Sequence, residues 1–111
     1  MNAVLPVVTG NDTFGELATI SLSCSYAGGP QSTVIWLKRD EEEVKVVLNS
    51  SRVSVTIRTQ TIGEVHVTTS ILVVHNVSAV DSGEYLCEAM NGVGQVSSTV
   101  SHYITVTSKP L

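Results

Sequence analysis

Two cysteines, Cys24 and Cys87, carry the main chemistry that this sequence offers. An even cysteine count in a short chain rich in valine, threonine and serine predicts one disulfide bond. In the chain-entropy model, closing a loop of about 60 residues stabilises the folded state by about 4 kcal/mol. Such a bond persists only in an oxidising compartment. We therefore expect a structural bridge at these positions rather than a redox switch.

Other residue types that do chemistry are present but poorly arranged for it. The three histidines, His66, His75 and His102, match no zinc-binding spacing. The acidic run at residues 40–43 lacks the alternating ligands and the glycine of a calcium loop. No phosphate-binding glycine loop and no nucleophile motif occurs. We expect no catalytic residue, no metal and no cofactor, and hence a protein that is not an enzyme.

The length and the net charge of the chain exclude further classes of protein. The chain has 111 residues and a net charge of -4, so it holds one domain and no basic stripe for nucleic acid. No apolar run reaches the roughly 18 residues that span a bilayer, so this stretch inserts into no membrane directly. We expect a domain at residues 1–106, followed at residues 107–111 by a linker to the rest of a larger protein.

Three asparagines lie in Asn-x-Ser/Thr sequons, namely Asn11, Asn49 and Asn76. Sequons of this kind accept N-linked glycan on secreted proteins. A chain this rich in serine and threonine also generates sequons by chance. Together with the paired cysteines, they favour an extracellular setting.

The elements that must position these residues are strands. Apolar and polar residues alternate with period two around Cys24, which is typical of a strand with one buried face. Turn residues separate further runs rich in β-branched residues. The predicted strands are a kinked opening edge strand in which Val4 and Val7 flank Pro6, and strands at residues 18–25, 33–38, 44–48, 52–57, 65–74, 84–90 and 96–106, with a hairpin connection at residues 60–63 and a tight turn at Asn91-Gly92. The fold class is therefore all-β.

Cys24, Trp36 twelve positions later, Leu72, and the run Asp-Ser-Gly-Glu-Tyr-Leu-Cys at residues 81–87 resemble the immunoglobulin superfamily. The resemblance implies a Greek-key β-sandwich of two antiparallel sheets joined by one disulfide. It places Trp36, Leu72 and Tyr85 in the core framework, with Tyr85 as the tyrosine-corner residue. It also implies a structural ion pair between Arg52 and Asp81.

The subtype has two interpretations. Residues 87–94 match Cys-x-Ala-x-Asn-x-x-Gly, a pattern of the intermediate set found in adhesion molecules and receptor ectodomains. The distance between the cysteines and the basic Arg52 are similar to the variable set, which has an additional strand or two. An antigen-receptor variable domain is disfavoured because no joining-type Phe-Gly-x-Gly lies near the last strand.

One group of apolar residues suits partner binding better than folding. If Tyr85 and Cys87 point inward, strand parity turns five apolar side chains outward on one sheet. An outward apolar patch of this kind often marks a protein interface. These five are Ile35, Leu37, Leu86, Met90 and Tyr103. The loops at residues 27–32 and 91–95 are a second candidate contact site.

The functional expectation is an extracellular binding or adhesion module of a plasma-membrane receptor. Its partner is a protein ligand or another copy of itself, which would give a homodimer. A ligand-binding domain of a receptor tyrosine kinase ectodomain fits the same fold. A spacer domain of an intracellular titin-like filament protein is the alternative from another class, and it would keep both thiols reduced.

Overall fold

The computed structural model describes residues 7–9, 13–28, 32–41, 43–90 and 96–107, with the backbone only for residues 7–9 and 96–100. Within these ranges the chain forms nine strands and one short 3-10 helix, Ala79–Asp81. The strands are β1 (Val7–Thr9), β2 (Thr13–Gly15), β3 (Ile20–Gly28), β4 (Thr33–Arg39), β5 (Val44–Val46), β6 (Val53–Ile62), β7 (Val65–Val74), β8 (Gly83–Met90) and β9 (Val96–Thr107). No helix in this part of the chain is long and apolar enough to cross a bilayer.

The strands form two sheets that pack face to face. The four-stranded sheet has the order β1-β3-β7-β6, and the five-stranded sheet has the order β2-β9-β8-β4-β5. Sequential strands such as β3 and β4 lie in different sheets, so the chain crosses repeatedly between the two layers. The predicted all-β sandwich is confirmed.

Alternation along the strands builds the core. On β3, Ile20, Leu22 and Cys24 are buried, while the residues between them are less buried or exposed. The same period-two pattern buries Val34 and Trp36 on β4. Because successive side chains point to opposite faces of a strand, each sheet presents one apolar face to the other. Ile104 and Val106 close this core from β9.

The connection between β6 and β7 corrects the sequence prediction. We expected a strand that ends at residue 57 and a turn at residues 60–63, but β6 continues to Ile62 and pairs with Val65. The turn is the two residues Gly63 and Glu64. Gly63 has φ +65°, a conformation that glycine adopts at no steric cost. The threonines of this segment favour extended structure, so β6 continues beyond the end that the sequence pattern predicted.

The first part of the chain contributes to both sheets. β1 pairs antiparallel with β3, whereas β2 pairs in parallel with β9. Thr107 donates a hydrogen bond from its Oγ1 to the carbonyl of Phe14 at 3.3 Å, so β9 stays paired one residue beyond the predicted domain end. The sequence prediction contained a single opening strand and missed β2, because a three-residue strand is too short for a period-two pattern to show.

Gly83 opens β8 with φ +151°. A Cβ at this position would lie 3.0 Å from the carbonyl oxygen of Arg39 on the neighbouring strand β4. Both the backbone angle and the close approach would strain any larger residue at this position. The glycine of the Asp-Ser-Gly-Glu-Tyr run is therefore required by the entry of β8 into the sheet.

The strand order bears on the subtype. The five-stranded sheet has two strands more than the three-stranded sheet of constant-type immunoglobulin domains, namely β2 at one edge and β5 at the other, and β5 lies where the variable set adds up to two strands. Residues 47–52, which connect β5 to β6, contain no second additional strand. The structure therefore has one of the two strands that the variable set can add.

Candidate functional site

The covalent centre of the sandwich is the disulfide between Cys24 on β3 and Cys87 on β8, whose Cα atoms are 6.5 Å apart. The predicted bridge between the two sheets is confirmed. Trp36 on β4 pairs in register with Cys87, and its side chain is 1% exposed. Leu72 and Tyr85 belong to the same buried cluster. These residues hold the two layers together.

A chain of hydrogen bonds leads from Trp36 through the core to the edge strand β6. The indole N–H of Trp36 donates to Ser70 Oγ at 3.0 Å, and the Ser70 hydroxyl donates to the carbonyl of Thr56 at 2.9 Å. Ser70 is fully buried. A buried indole N–H is costly to leave without an acceptor, so Ser70 stabilises the position of the tryptophan. Sequence reasoning missed Ser70, since a serine on a threonine- and serine-rich strand gives no signal of its own.

Arg52 and Asp81 meet at one end of the sandwich. Arg52 Nη1 lies 3.2 Å from Asp81 Oδ2, and Nη2 lies 3.3 Å from Oδ1, so the pair is bidentate. Nη1 also donates to the carbonyls of His75 and Asn76 at 3.1 and 3.3 Å. The backbone N–H of Ser78 donates to Asp81 Oδ2 at 2.9 Å. The arrangement ties the start of β6 to the segment before β8. Both charged groups, the Arg52 guanidinium and the Asp81 carboxylate, are held by these structural hydrogen bonds.

Tyr85 completes this end as the tyrosine corner. Its hydroxyl donates to the backbone carbonyl of Asp81 at 2.6 Å. Burial, and secondarily the negative charge of Asp81, raises the pKa of Tyr85 to about 12. The Asp81 carboxylate, through hydrogen bonding and then charge, raises the pKa of Arg52 as well. Both shifts follow from the contacts that hold this end of the sandwich together.

The solvent-facing side of the five-stranded sheet carries the predicted interface residues, and we call it the five-strand face. Because Trp36 and Cys87 point inward, Ile35, Leu37 and Leu86 point outward. Tyr103 on β9 lies opposite Glu84, which places it on this face too. Met90 follows at the far end of β8. The register therefore brings all five predicted residues to one surface.

The five predicted interface residues differ in how exposed their side chains are, and the prediction for Leu86 was wrong. Leu86 was expected to offer an exposed apolar contact, but it is only 7% exposed. It lies on the central strand β8, in register between Leu37 and Ser101, where neighbours on both sides screen a side chain from water. Tyr103, by contrast, is 69% exposed. Ile35, Leu37 and Met90 are partly buried.

Two further residues of the five-strand face were not predicted. Val44 and Val46 on the edge strand β5 are 47% and 52% exposed, and they lie opposite Arg39 and Leu37. Strand parity from Leu37 puts Val46 on the same surface as Tyr103. The alternation of valine and lysine at residues 44–46 indicates that the two valines share one face of the strand, but it does not show that this face is exposed.

An ion pair interrupts the apolar character of the five-strand face. Arg39 Nη1 on β4 lies 3.1 Å from Glu84 Oε1 on β8, and the Glu84 side chain is almost buried. In register, the row across the sheet reads Val44, Arg39, Glu84, Tyr103. The five-strand face therefore combines exposed apolar side chains with one ion pair.

The remaining predicted sites are spread over the surface. Asn49 and Asn76 are exposed, and Asn76 has φ +51°, which asparagine tolerates. Asn11 lies outside the described residues, as do most of the loops at 27–32 and 91–95. Of the histidines, the Nδ1 atoms of His66 and His75 lie within 3.4 Å of the hydroxyls of Thr61 and Thr19 respectively. The described part of the chain contains no group of three residues arranged to hold a metal ion.

Comparison with known proteins identifies the family. A family model described as "Immunoglobulin domain" matches residues 6–91. The chain is similar to the WAP, Kazal, immunoglobulin, Kunitz and NTR domain-containing protein of Danio rerio, with 33% identity over 89 residues, which are 76% of this chain and 15% of that protein.

It is also similar to Contactin-2 of Mus musculus and of Homo sapiens, in each case with 32% identity over 80 residues, which are 72% of this chain and 6% of the relative. The chain thus spans only a small part of the proteins it matches. With its disulfide, its tryptophan and its two-sheet topology, the chain belongs to the immunoglobulin domain family.

Proposed function

We propose that this chain is an extracellular binding module that recognises a protein partner through the five-strand face. The observation that carries the proposal is the exposure of Val44, Val46 and Tyr103 around the Arg39–Glu84 ion pair. Exposed apolar side chains next to a fixed charge pair are typical of protein interfaces. The match of residues 87–94 to the pattern found in adhesion molecules and receptor ectodomains agrees with this role.

The extracellular setting rests on separate support. The disulfide joins two buried strands and is the feature that a reducing cytosol would remove. The exposed sequons at Asn49 and Asn76 are accessible to glycosylation. We propose that the module ends with β9 at Thr107 and forms part of a larger cell-surface protein. Mass spectrometry of protein from its native source tests the compartment, because free thiols at Cys24 and Cys87 would contradict it.

The binding role is tested on beads coated with the chain. Bead self-aggregation and bead attachment to cultured cells are measured for the wild type, Val46→Arg and Val44→Arg. We expect both substitutions to reduce whichever activity the wild type shows, because each places a cation in the apolar part of the face. Val80, which is 73% exposed in the 3-10 helix, supplies the matched control Val80→Arg.

The outcomes separate cleanly. Loss of attachment or aggregation with both β5 variants but not with Val80→Arg supports the five-strand face. Equal activity of the wild type and both β5 variants, with circular dichroism showing intact folding, would refute it. Leu86→Arg is unsuitable for this test, since a charge at a buried position destabilises the fold itself.

A further inference from the structure

The second sheet has an edge that the five-strand face does not involve. β6 is the outermost strand of the four-stranded sheet and runs for ten residues. Its inner side pairs with β7 along its whole length. The backbone groups on its outer side therefore need other partners, or they remain available to another strand.

Hydrogen bonds at the start of β6 reveal which residues face outward. The carbonyl of Arg52 accepts from His75 N–H on the β7 side, whereas Val53 N–H donates to Ser50 Oγ and Val55 N–H donates to Asn49 Oδ1, away from β7. In an antiparallel ladder, the N–H and C=O of one residue point to the same side and alternate along the strand. Odd-numbered residues of β6 thus present their backbone groups to the open edge.

The open edge has a covered half and a free half. Asn49 and Ser50 occupy the outward N–H groups of Val53 and Val55, and the Val53 carbonyl accepts from Ser50 N–H. Further along, the outward backbone groups of Ile57, Thr59 and Thr61 have no hydrogen-bond partner among the described residues. The free half of β6 is therefore residues 57–61.

The free half also lacks the usual protection of edge strands. Natural edges carry several charges, a proline or a bulge that discourages pairing. From Val53 to Ile62 the only charged residue is Arg58, there is no proline, and the register with β7 is regular. Ile57 and Ile62 are 54% and 63% exposed. Threonine and isoleucine at these positions favour extended pairing.

We propose that the free half of β6 pairs antiparallel with β6 of a second copy of this chain, with Thr59 on the two-fold axis. The covered half sets this register, because pairing centred nearer the start of β6 would require the N–H of Val55 that Asn49 already binds. Thr59 then faces Thr59 of the second copy, and Ile57 faces Thr61. About six inter-strand hydrogen bonds form across the axis.

Side chains make the strand compatible with itself in this register. Arg58 falls opposite Gln60 of the second copy rather than opposite its own symmetry mate. No like charges therefore meet directly, which would oppose pairing. Self-complementarity of one surface patch is what a two-fold dimer needs, and it is the reason to name a second copy rather than a foreign strand.

Amide hydrogen exchange tests the pairing directly. In dilute solution we expect the N–H groups of Ile57, Thr59 and Thr61 to exchange fast, and those of Thr56 and Arg58, which face β7, to be protected. At high concentration the three odd-numbered amides should become protected as sedimentation velocity shows a dimer. Unchanged exchange at these amides, or a monomer at every concentration, would overturn the proposal.

Substitutions test the register. Thr59→Pro removes an outward N–H without touching the ladder to β7, and it should weaken dimerisation by about tenfold or more. Gln60→Glu should strengthen dimerisation several-fold and Gln60→Lys should weaken it several-fold, because each places a charge opposite Arg58 of the second copy. Ser21→Glu and Ser21→Lys, at an exposed position on β3, are the matched controls and should change nothing.

The two proposals fail separately. Self-association that is lost with Val46→Arg but unaffected by Thr59→Pro and the Gln60 variants would contradict β6 pairing and assign self-contact to the five-strand face. Dimerisation that responds to the β6 variants alone supports the pairing, whatever the bead assay shows for the five-strand face.

Discussion

Removing the hydroxyl of Ser70 should destabilise the fold far more than its size implies. The Ser70→Ala substitution takes away the acceptor of the Trp36 indole N–H, a bond of 3.0 Å between two side chains that are 1% exposed or less. A buried donor left without a partner costs about 1–3 kcal/mol. The carbonyl of Thr56 keeps its place in the ladder to β7, so it adds little to this cost.

The expected loss is therefore about 2 kcal/mol in the free energy of unfolding. For a domain of this size, that corresponds to a fall in Tm of about 10 °C. Urea denaturation followed by far-ultraviolet circular dichroism measures it. The matched control is Ser21→Ala, at an exposed position of the neighbouring strand β3, which should change stability by less than about 0.5 kcal/mol.

A double-mutant cycle with Trp36→Phe identifies the cause. Phenylalanine has no N–H to satisfy, so Ser70→Ala should cost at least about 1 kcal/mol less in that background. If Ser70→Ala is as mild as Ser21→Ala, or costs the same beside phenylalanine as beside tryptophan, the reasoning about the buried indole is refuted.

Three further predictions concern the framework and the surface. Because the folded-state pKa of Tyr85 is raised from 10.0 to about 12, the contribution of Tyr85 to the free energy of unfolding should be level below pH 10 and fall as the pH rises from about 10 to about 12; denaturation at several pH values should show a steeper fall over this range in the wild type than in Tyr85→Phe. Replacing Cys24 and Cys87 together by alanine should cost about 4 kcal/mol, given their separation of 63 residues, and a loss below about 1 kcal/mol in urea denaturation would contradict a structural role. On expression through the secretory pathway, glycopeptide mass spectrometry should find glycan at Asn49; Ser51→Ala removes that sequon without altering Asn49, so glycan persisting in this variant would contradict the assignment.

Much of the framework was predictable because its signals are local. Cys24, Trp36 and Cys87 have distinctive residue types, and period-two alternation assigns each neighbour to a face without knowledge of the partner strand. That is why Ile35 and Leu37 were placed outward, and their neighbours Val34 and Trp36 are indeed buried. The same rule cannot state how exposed an outward side chain is.

The exposure of each side chain and the position of each sheet edge depend on which strands are neighbours. Only the tertiary structure decides this. Leu86 is screened because β8 lies between β4 and β9, whereas Val46 is exposed because β5 lies at the edge. Ser70 matters because its strand carries it beneath an indole 34 residues away along the chain. These relations join residues distant in sequence, so no local pattern encodes them.

The sequence by itself determined which residues are apolar, which cysteines can form a disulfide and where apolar and polar residues alternate. This information was sufficient to predict the fold class and the disulfide. The pairing of strands determined the rest: the exposed part of the five-strand face, the acceptor of the Trp36 N–H and the free half of β6. The physical reason is that side-chain direction is a property of one strand, while burial and hydrogen-bond partners are properties of the strands beside it.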